Sequence, residues 1–307
     1  MKRTLILTLA ACALIAGTLA EARPGDRLRE RIAARHGGGT AMPARADQTL
    51  AYGSDPLQQL DLYYPKDHTN EQSRPLVVFV HGGGWKRGDK GNATGQFKAP
   101  HYTGQGYVFA SINYRLVPKA TVEQQAADVA LALKYLLAEY KKLGIDPSRV
   151  VIMGHSAGAH LVALVGTDEQ YLKGAGLSFA NIDGVLPIDG AAYDVPRQIA
   201  DGGNFMNDTY VQAFGTDPAR QRALSPTFRA QSPNAPAFLL IHVQRKDGIA
   251  QNIELEAALR KGGTQVERRD FPGTGLQGHA EINRSLGDPA YAATPVVDDW
   301  LKRVFGD

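Results

Sequence analysis

Two short segments of this 307-residue chain hold residue types suited to acyl chemistry. The first is Gly154-His155-Ser156-Ala157-Gly158, behind the apolar run 150–153 and opening a helix-like run over 157–165. A serine on a sharp strand-to-helix turn has an exposed oxygen that can act as a nucleophile, and the flanking glycines avoid clashes in so tight a bend. Alone this spacing is weak, because Ser156 reads equally as a helix N-cap. The second is His81-Gly82-Gly83-Gly84-Trp85, behind the apolar run 76–80. Consecutive glycines let a backbone approach a ligand closely. Backbone N–H groups so placed suit the oxyanion that develops during acyl transfer. Gly83 and Gly84 would supply two donors, and Ala157 a third. A phosphate loop would need Gly-Lys-Ser/Thr after the glycines, which is absent. His81 reads as a loop-positioning residue.

The elements that must position these segments follow from hydrophobic periodicity. Residues 60–64 and 265–271 alternate as strands do. Residues 76–80, 108–112, 150–153, 185–188 and 238–241 are short apolar runs. Residues 122–140, 253–259 and 293–304 have helical spacing. Short buried strands separated by helices predict an α/β fold with a mostly parallel sheet and helices on both faces. There is no internal repeat and no composition break beyond Gln48, so 48–307 reads as one catalytic domain. The stretch 190–236 is rich in Gly, Asp, Asn and Pro, and reads as a cap-like excursion between two strands. Its aromatics Tyr193, Phe205, Tyr210 and Phe214, with Met206, are candidates for a pocket wall, as is Trp85. Tyr193, Phe205 and Trp85 are the substrate-binding choices.

Composition narrows the function classes. At 43% hydrophobic and 21% charged residues, the chain is too apolar for a disordered one. Its formal charge of +3 is concentrated before residue 48, with +1 in 1–22 and +3 in 23–47, leaving −1 for the body. A neutral body opposes nucleic-acid binding. The single cysteine, Cys12, excludes an internal disulfide and a multi-cysteine zinc site. Met1-Lys2-Arg3, an apolar run to residue 20 and Ala20-Glu21-Ala22 have the order of a secretory signal peptide over 1–22. A retained anchor, or a lipoprotein signal at Leu9-Ala10-Ala11-Cys12, are the alternatives. Residues 23–47 read as a basic flexible leader. Export to a periplasmic or extracellular location is therefore expected, without stable membrane insertion after cleavage. Oligomeric state is not legible.

Further motifs make the reading more specific. H-G-G-G-W, Asn113-Tyr114-Arg115-Leu116-Val117-Pro118 and Asp146-Pro147-Ser148-Arg149-Val150 lead in that order into G-H-S-A-G. From about residue 60 to the C-terminus, the chain resembles the α/β-hydrolase-fold esterase/lipase family, in the branch of hormone-sensitive lipase and bacterial carboxylesterases. The resemblance implies a three-layer αβα sandwich and a triad in the order Ser, Asp, His. It makes Ser156 the nucleophile and His279, in Gly278-His279-Ala280, the general base. It puts the acid at Asp247, although the usual following valine and proline are missing and the loop is one residue longer. Asp189 and Asp194, after the preceding strand, are the alternatives. His155, His160 and His242 are given packing roles. Tyr114, Arg115 and Asp128 are given scaffold roles. No metal or cofactor is implied. The expected activity is hydrolysis of a small-molecule or glycan ester through an acyl-enzyme. An arylformamidase-like amidase shares the H-G-G-x-W loop, and a non-catalytic binding protein of this fold is the remaining alternative.

Overall fold

In the computed structural model, residues 44–201 and 203–306 are described, without side chains for 203–205. The expected signal peptide and most of the expected leader lie outside the described residues. Residues 42–307 form one compact unit. Its strands are β1 (Gln48–Ala51), β2 (Gln59–Tyr63), β3 (Arg74–Val80), β4 (Val108–Ile112), β5 (Ile145–His155), β6 (Gly184–Ile188), β7 (Ala237–Gln244) and β8 (Gln265–Thr274). They build one sheet in the order β1-β2-β4-β3-β5-β6-β7-β8. β1, β2 and β4 pair antiparallel, and every pair from β4 through β3 to β8 is parallel. β4 and β6 are buried along their whole length. A strand covered on both faces has no solvent side on which to place polar residues, which explains the continuous apolar runs.

The two faces feed two cores. Val78 and Val80 join one hydrophobic cluster, whereas Val77 and Phe79 join the other, as the two-residue period of a strand requires. The first face is covered by α2 (Val122–Ala138) and α3 (Ala157–Thr167), the second by α1 (Lys98–Gly104) and α11 (Ala293–Phe305). α2 starts at a capping box: the Gln124 N–H donates to Thr121 Oγ1 at 3.3 Å, and the Thr121 N–H donates to Gln124 Oε1 at 2.9 Å. This satisfies two otherwise orphaned donors of the first turn. A short helix, α4 (Gln170–Gly174), follows α3.

The segment between β6 and β7 is more regular than its composition suggested. It folds as α5 (Val195–Asp201), α6 (Gly203–Phe214), α7 (Pro218–Ala223) and α8 (Pro226–Arg229). Behind β7, α9 (Lys246–Lys261) begins well before the apolar spacing that starts at Ile253, and α10 (Gly275–Ser285) follows β8. The last four residues of the expected leader, 44–47, lie among the described residues. Ala44 and Ala46 pack against the second core, and the Asp47 N–H donates to Leu62 O at 2.9 Å.

Strand register brings the functional segments together. Val80 aligns with Gly154 across β3 and β5, so the glycine loop emerges beside the serine turn. His155 aligns with Ile188 across β5 and β6, so Ser156 emerges beside Asp189. These carboxyl ends of parallel strands are where ligands bind in open α/β sheets.

Candidate active site

Ser156 is the hinge between β5 and α3, with φ 57° and ψ −116°. A side chain at positive φ is strained, and such strain persists only where the surroundings hold it. Its N–H donates to Ile188 O at 3.1 Å. Its side chain makes no capping hydrogen bond, which removes the N-cap reading. The turn closes so tightly that a Cβ on Gly158 would lie 2.1 Å from Val80 O. Gly83, at φ 124°, is equally constrained, because a Cβ there would meet the Arg87 carbonyl oxygen at 2.0 Å. Ala157 opens α3, and the first N–H groups of a helix have no intrahelical acceptor.

His279 lies in the second turn of α10. Its Nδ1 donates to Asp189 Oδ2 at 2.5 Å. Asp189 follows β6, has φ 44° and is fully buried. Its N–H donates to Ile241 O at 2.7 Å, and the Val243 N–H donates to its Oδ1 at 3.1 Å. Burial alone would raise the Asp189 carboxyl. The hydrogen bond from His279, the charge of Arg245 and the Val243 N–H outweigh it and hold the group below its ordinary range.

The acid is expected at Asp247, but the aspartate that faces His279 is Asp189, one of the two alternatives. Asp247 sits in the first turn of α9 because that helix starts at Lys246. Its carboxylate accepts from Gln198 Nε2 at 3.3 Å and lies 3.7 Å from Arg245 Nη1. Asp194 is occupied elsewhere, accepting from the Arg197 N–H at 3.0 Å at the start of α5. Arg245 is a neighbour that sequence reasoning missed. Its Nε is 3.0 Å from Asp189 Oδ2, at an angle that makes an ion contact rather than a hydrogen bond, and its Nη2 donates to Asp189 O at 3.3 Å. Nothing in the Arg-Lys-Asp-Gly sequence singled it out.

The other histidines take supporting places. His155 Nε2 donates to His279 O at 2.9 Å, with ring centroids 4.4 Å apart. Burial, then repulsion from His279, pushes its pKa well down, so it is a neutral ring. His81 Nδ1 donates to Gly82 O at 2.8 Å, its ring stacks on Tyr114, and the Tyr114 hydroxyl donates to His81 O at 2.9 Å. His160 Nε2 donates to Leu224 O at 2.8 Å and Nδ1 accepts from Trp85 Nε1 at 3.3 Å, so the tautomer is fixed. His242 Nδ1 donates to Val243 O at 3.1 Å, a structural role. Arg115 forks onto Asp128 at 2.7 and 2.9 Å, and Asp128 also accepts from Gln58 at 2.7 Å. That pair braces the loop holding Tyr114.

A cleft of about 1010 Å³ contains Gly83, Gly84, Ser156, Ala157, Asp189 and His279. Trp85, Met206 and Tyr210 form apolar parts of its wall. Tyr193 does not: it is fully buried, and a Cβ on Gly190 would meet its hydroxyl at 2.1 Å, so it packs behind the site. The side chain of Phe205 lies outside the described residues. Among the described residues, no group of three His, Cys, Asp or Glu side chains is placed to hold a metal ion, and no helix is long and apolar enough to cross a membrane.

Comparisons with known proteins place the fold among esterases and related hydrolases. The BD-FAE family model matches residues 60–191. Kynurenine formamidase of Salmo salar is 30% identical over 271 residues, covering 84% of each chain. Esterase LipC of Mycobacterium tuberculosis is 33% identical over 207 residues, covering 64% of this chain and 50% of that protein. The chain spans half or less of the length of the first curated relatives it matches. Among solved structures, esterase B of Lactobacillus rhamnosis superposes with a TM-score of 0.73 at 24% identity, covering 92% of this chain and 91% of the other.

Proposed function

The chain belongs to the α/β-hydrolase-fold esterase/lipase family, and we propose that it is an exported serine hydrolase that cleaves carboxylic esters through an acyl-enzyme. The observation that carries this reading is the 2.5 Å contact of His279 with buried Asp189 in the cleft that holds the strained Ser156. Relatives named as esterases support the ester as substrate class.

In this reading Ser156 attacks the acyl carbonyl while His279 takes its proton. Asp189 holds the imidazole in the tautomer that leaves Nε2 free to accept, and it stabilises the imidazolium that forms. The N–H groups of Gly83, Gly84 and Ala157 receive the oxyanion. His279 then protonates the leaving alcohol, and water repeats the sequence to release the acid. Neutral His155 suits this role, because a second charged ring 4.4 Å away would oppose the imidazolium. Export rests on the order of residues 1–22.

The full-length likeness to a kynurenine formamidase favours one second reading, cleavage of an aryl formamide by the same groups. A panel of 4-nitrophenyl esters of rising acyl length, with methyl ferulate and N-formylkynurenine, run on wild type and Ser156→Ala, decides between them. We expect ester hydrolysis that Ser156→Ala abolishes. Preference for the formamide would replace the ester reading, and undiminished hydrolysis by Ser156→Ala would remove the serine mechanism.

A further inference from the structure

We propose that the cleft selects esters bearing an anionic group, a carboxylate above all; the inference rests on the ester-hydrolase reading of the same site. Its basis is an excess of cations on the cleft wall that have no acidic partner. Arg245 is held by Asp189 at 3.0 Å, and Arg197 lies between two carboxylates, Asp201 at 3.2 Å within the lining and Glu254 outside it, which removes one charge from the cleft's excess. What remains in the lining is Lys86, Arg87 and Lys246 against Asp247 alone. Among the described residues, none of those three cations forms an ion pair, and Asp247, 3.7 Å from Arg245, is the one carboxylate of the lining left to offset them, so the lining keeps a positive excess.

The three cations stand next to the reacting groups. Lys86 and Arg87 directly follow the glycine loop and Trp85. The Arg87 stem lies against Gly83, since a Cβ there would be 3.2 Å from Arg87 Cγ. Lys86 Nζ donates to Thr209 Oγ1 on α6 at 3.0 Å, which fixes its ammonium on the cleft wall and leaves further N–H groups for a ligand. Lys246 opens α9, next to the arginine that grips Asp189. The surplus is local: residues 48–307 carry −1 in all, so a positive cleft is not the overflow of a basic body. A cleft lined by one sign of charge between low-dielectric walls focuses its field, and raises the capture of an oppositely charged substrate by roughly tenfold or more. A neutral ester gains nothing from that field.

Two matched pairs of substrates test this. Mono-4-nitrophenyl adipate and its methyl ester differ by a carboxylate on the acyl side. 4-Acetoxybenzoate and its methyl ester differ by one on the alcohol side. We expect kcat/KM to favour the anionic member by at least about tenfold in one pair or both. Added salt at about 0.5 M should shrink that ratio, because it screens exposed charges. The combined variant Lys86→Met, Arg87→Met, Lys246→Met should bring the ratio close to one, and the single variant Arg87→Gln should lower it part of the way. Neutral members turned over as fast as anionic ones in both pairs would overturn the inference while leaving the ester reading intact. A preference that survives all the substitutions would also overturn it. Failure of wild type on all four esters, or equal rates in Ser156→Ala, would instead sink the ester reading and this inference with it.

Discussion

The Nδ1 of His279 lies 2.5 Å from Oδ2 of Asp189, an aspartate that follows β6, while the aspartate behind β7 points to Gln198 and Arg245. The contact favours Asp189 as the acid of the proposed triad, and it separates two carboxylates that share one cleft. Asp189→Asn should lower kcat by about 10⁴-fold, because an amide cannot hold the imidazole tautomer that accepts the serine proton. Asp247→Asn should change kcat by less than about threefold, since its partly exposed contact is worth little. Steady-state ester hydrolysis by both variants checks the pair, and the reverse ranking would restore Asp247.

How far the site was legible depends on how locally each role is encoded. Ser156, Gly83 and His279 sit in short segments whose glycines and flanking strands report the backbone conformation directly. The acid is not encoded that way. Asp189 and Asp247 each follow an apolar strand, and only the β6–β7 register and the start of α9 decide which faces α10. The apolar runs revealed the parallel sheet because strands buried on both faces leave no room for polar residues. Tyr193 was misplaced for a related reason: an aromatic in a non-periodic segment does not show its direction, and here it turns inward beneath Gly190.

His155 bears on His279 from behind. His155→Phe keeps an aromatic ring against His279 but removes the donor to His279 O. We expect kcat to fall about tenfold, of the order that one lost neutral hydrogen bond permits, with KM little changed. Stopped-assay kinetics with a short-chain nitrophenyl ester measures both. An unchanged kcat would mean that α10 holds His279 without this contact.

The serine turn should be intolerant of a single methyl group. Gly158→Ala would place a Cβ 2.1 Å from Val80 O, a backbone atom that cannot swing aside. We expect a loss of at least about 2 kcal/mol of stability, from overpacking at a site with no room to relax. Urea denaturation followed by circular dichroism gives the difference, and wild-type stability would contradict the tight turn.

Acid should destabilise the fold partly through His160. Burial lowers its pKa to about 4 from an ordinary 6.5. A group with a depressed folded pKa contributes stability that is present above the unfolded value and lost as pH falls through the folded one, here between about pH 6.5 and pH 4. The contribution is on the order of 3 kcal/mol for such a shift. Denaturation midpoints at both ends of that window should converge more closely in His160→Gln than in wild type. Equal pH dependence in the two would show that His160 is not the group responsible.

Acylation of Ser156 is the step on which the proposed hydrolysis turns. Its most direct test is intact-protein mass spectrometry after treatment with a 4-nitrophenyl alkylphosphonate, which traps a serine nucleophile without turnover. We predict one adduct per wild-type chain, mapped to the peptide holding Ser156, with loss of ester hydrolysis in proportion, and no adduct in Ser156→Ala. An adduct of equal yield in Ser156→Ala, or ester hydrolysis that persists in fully modified wild type, would contradict the account.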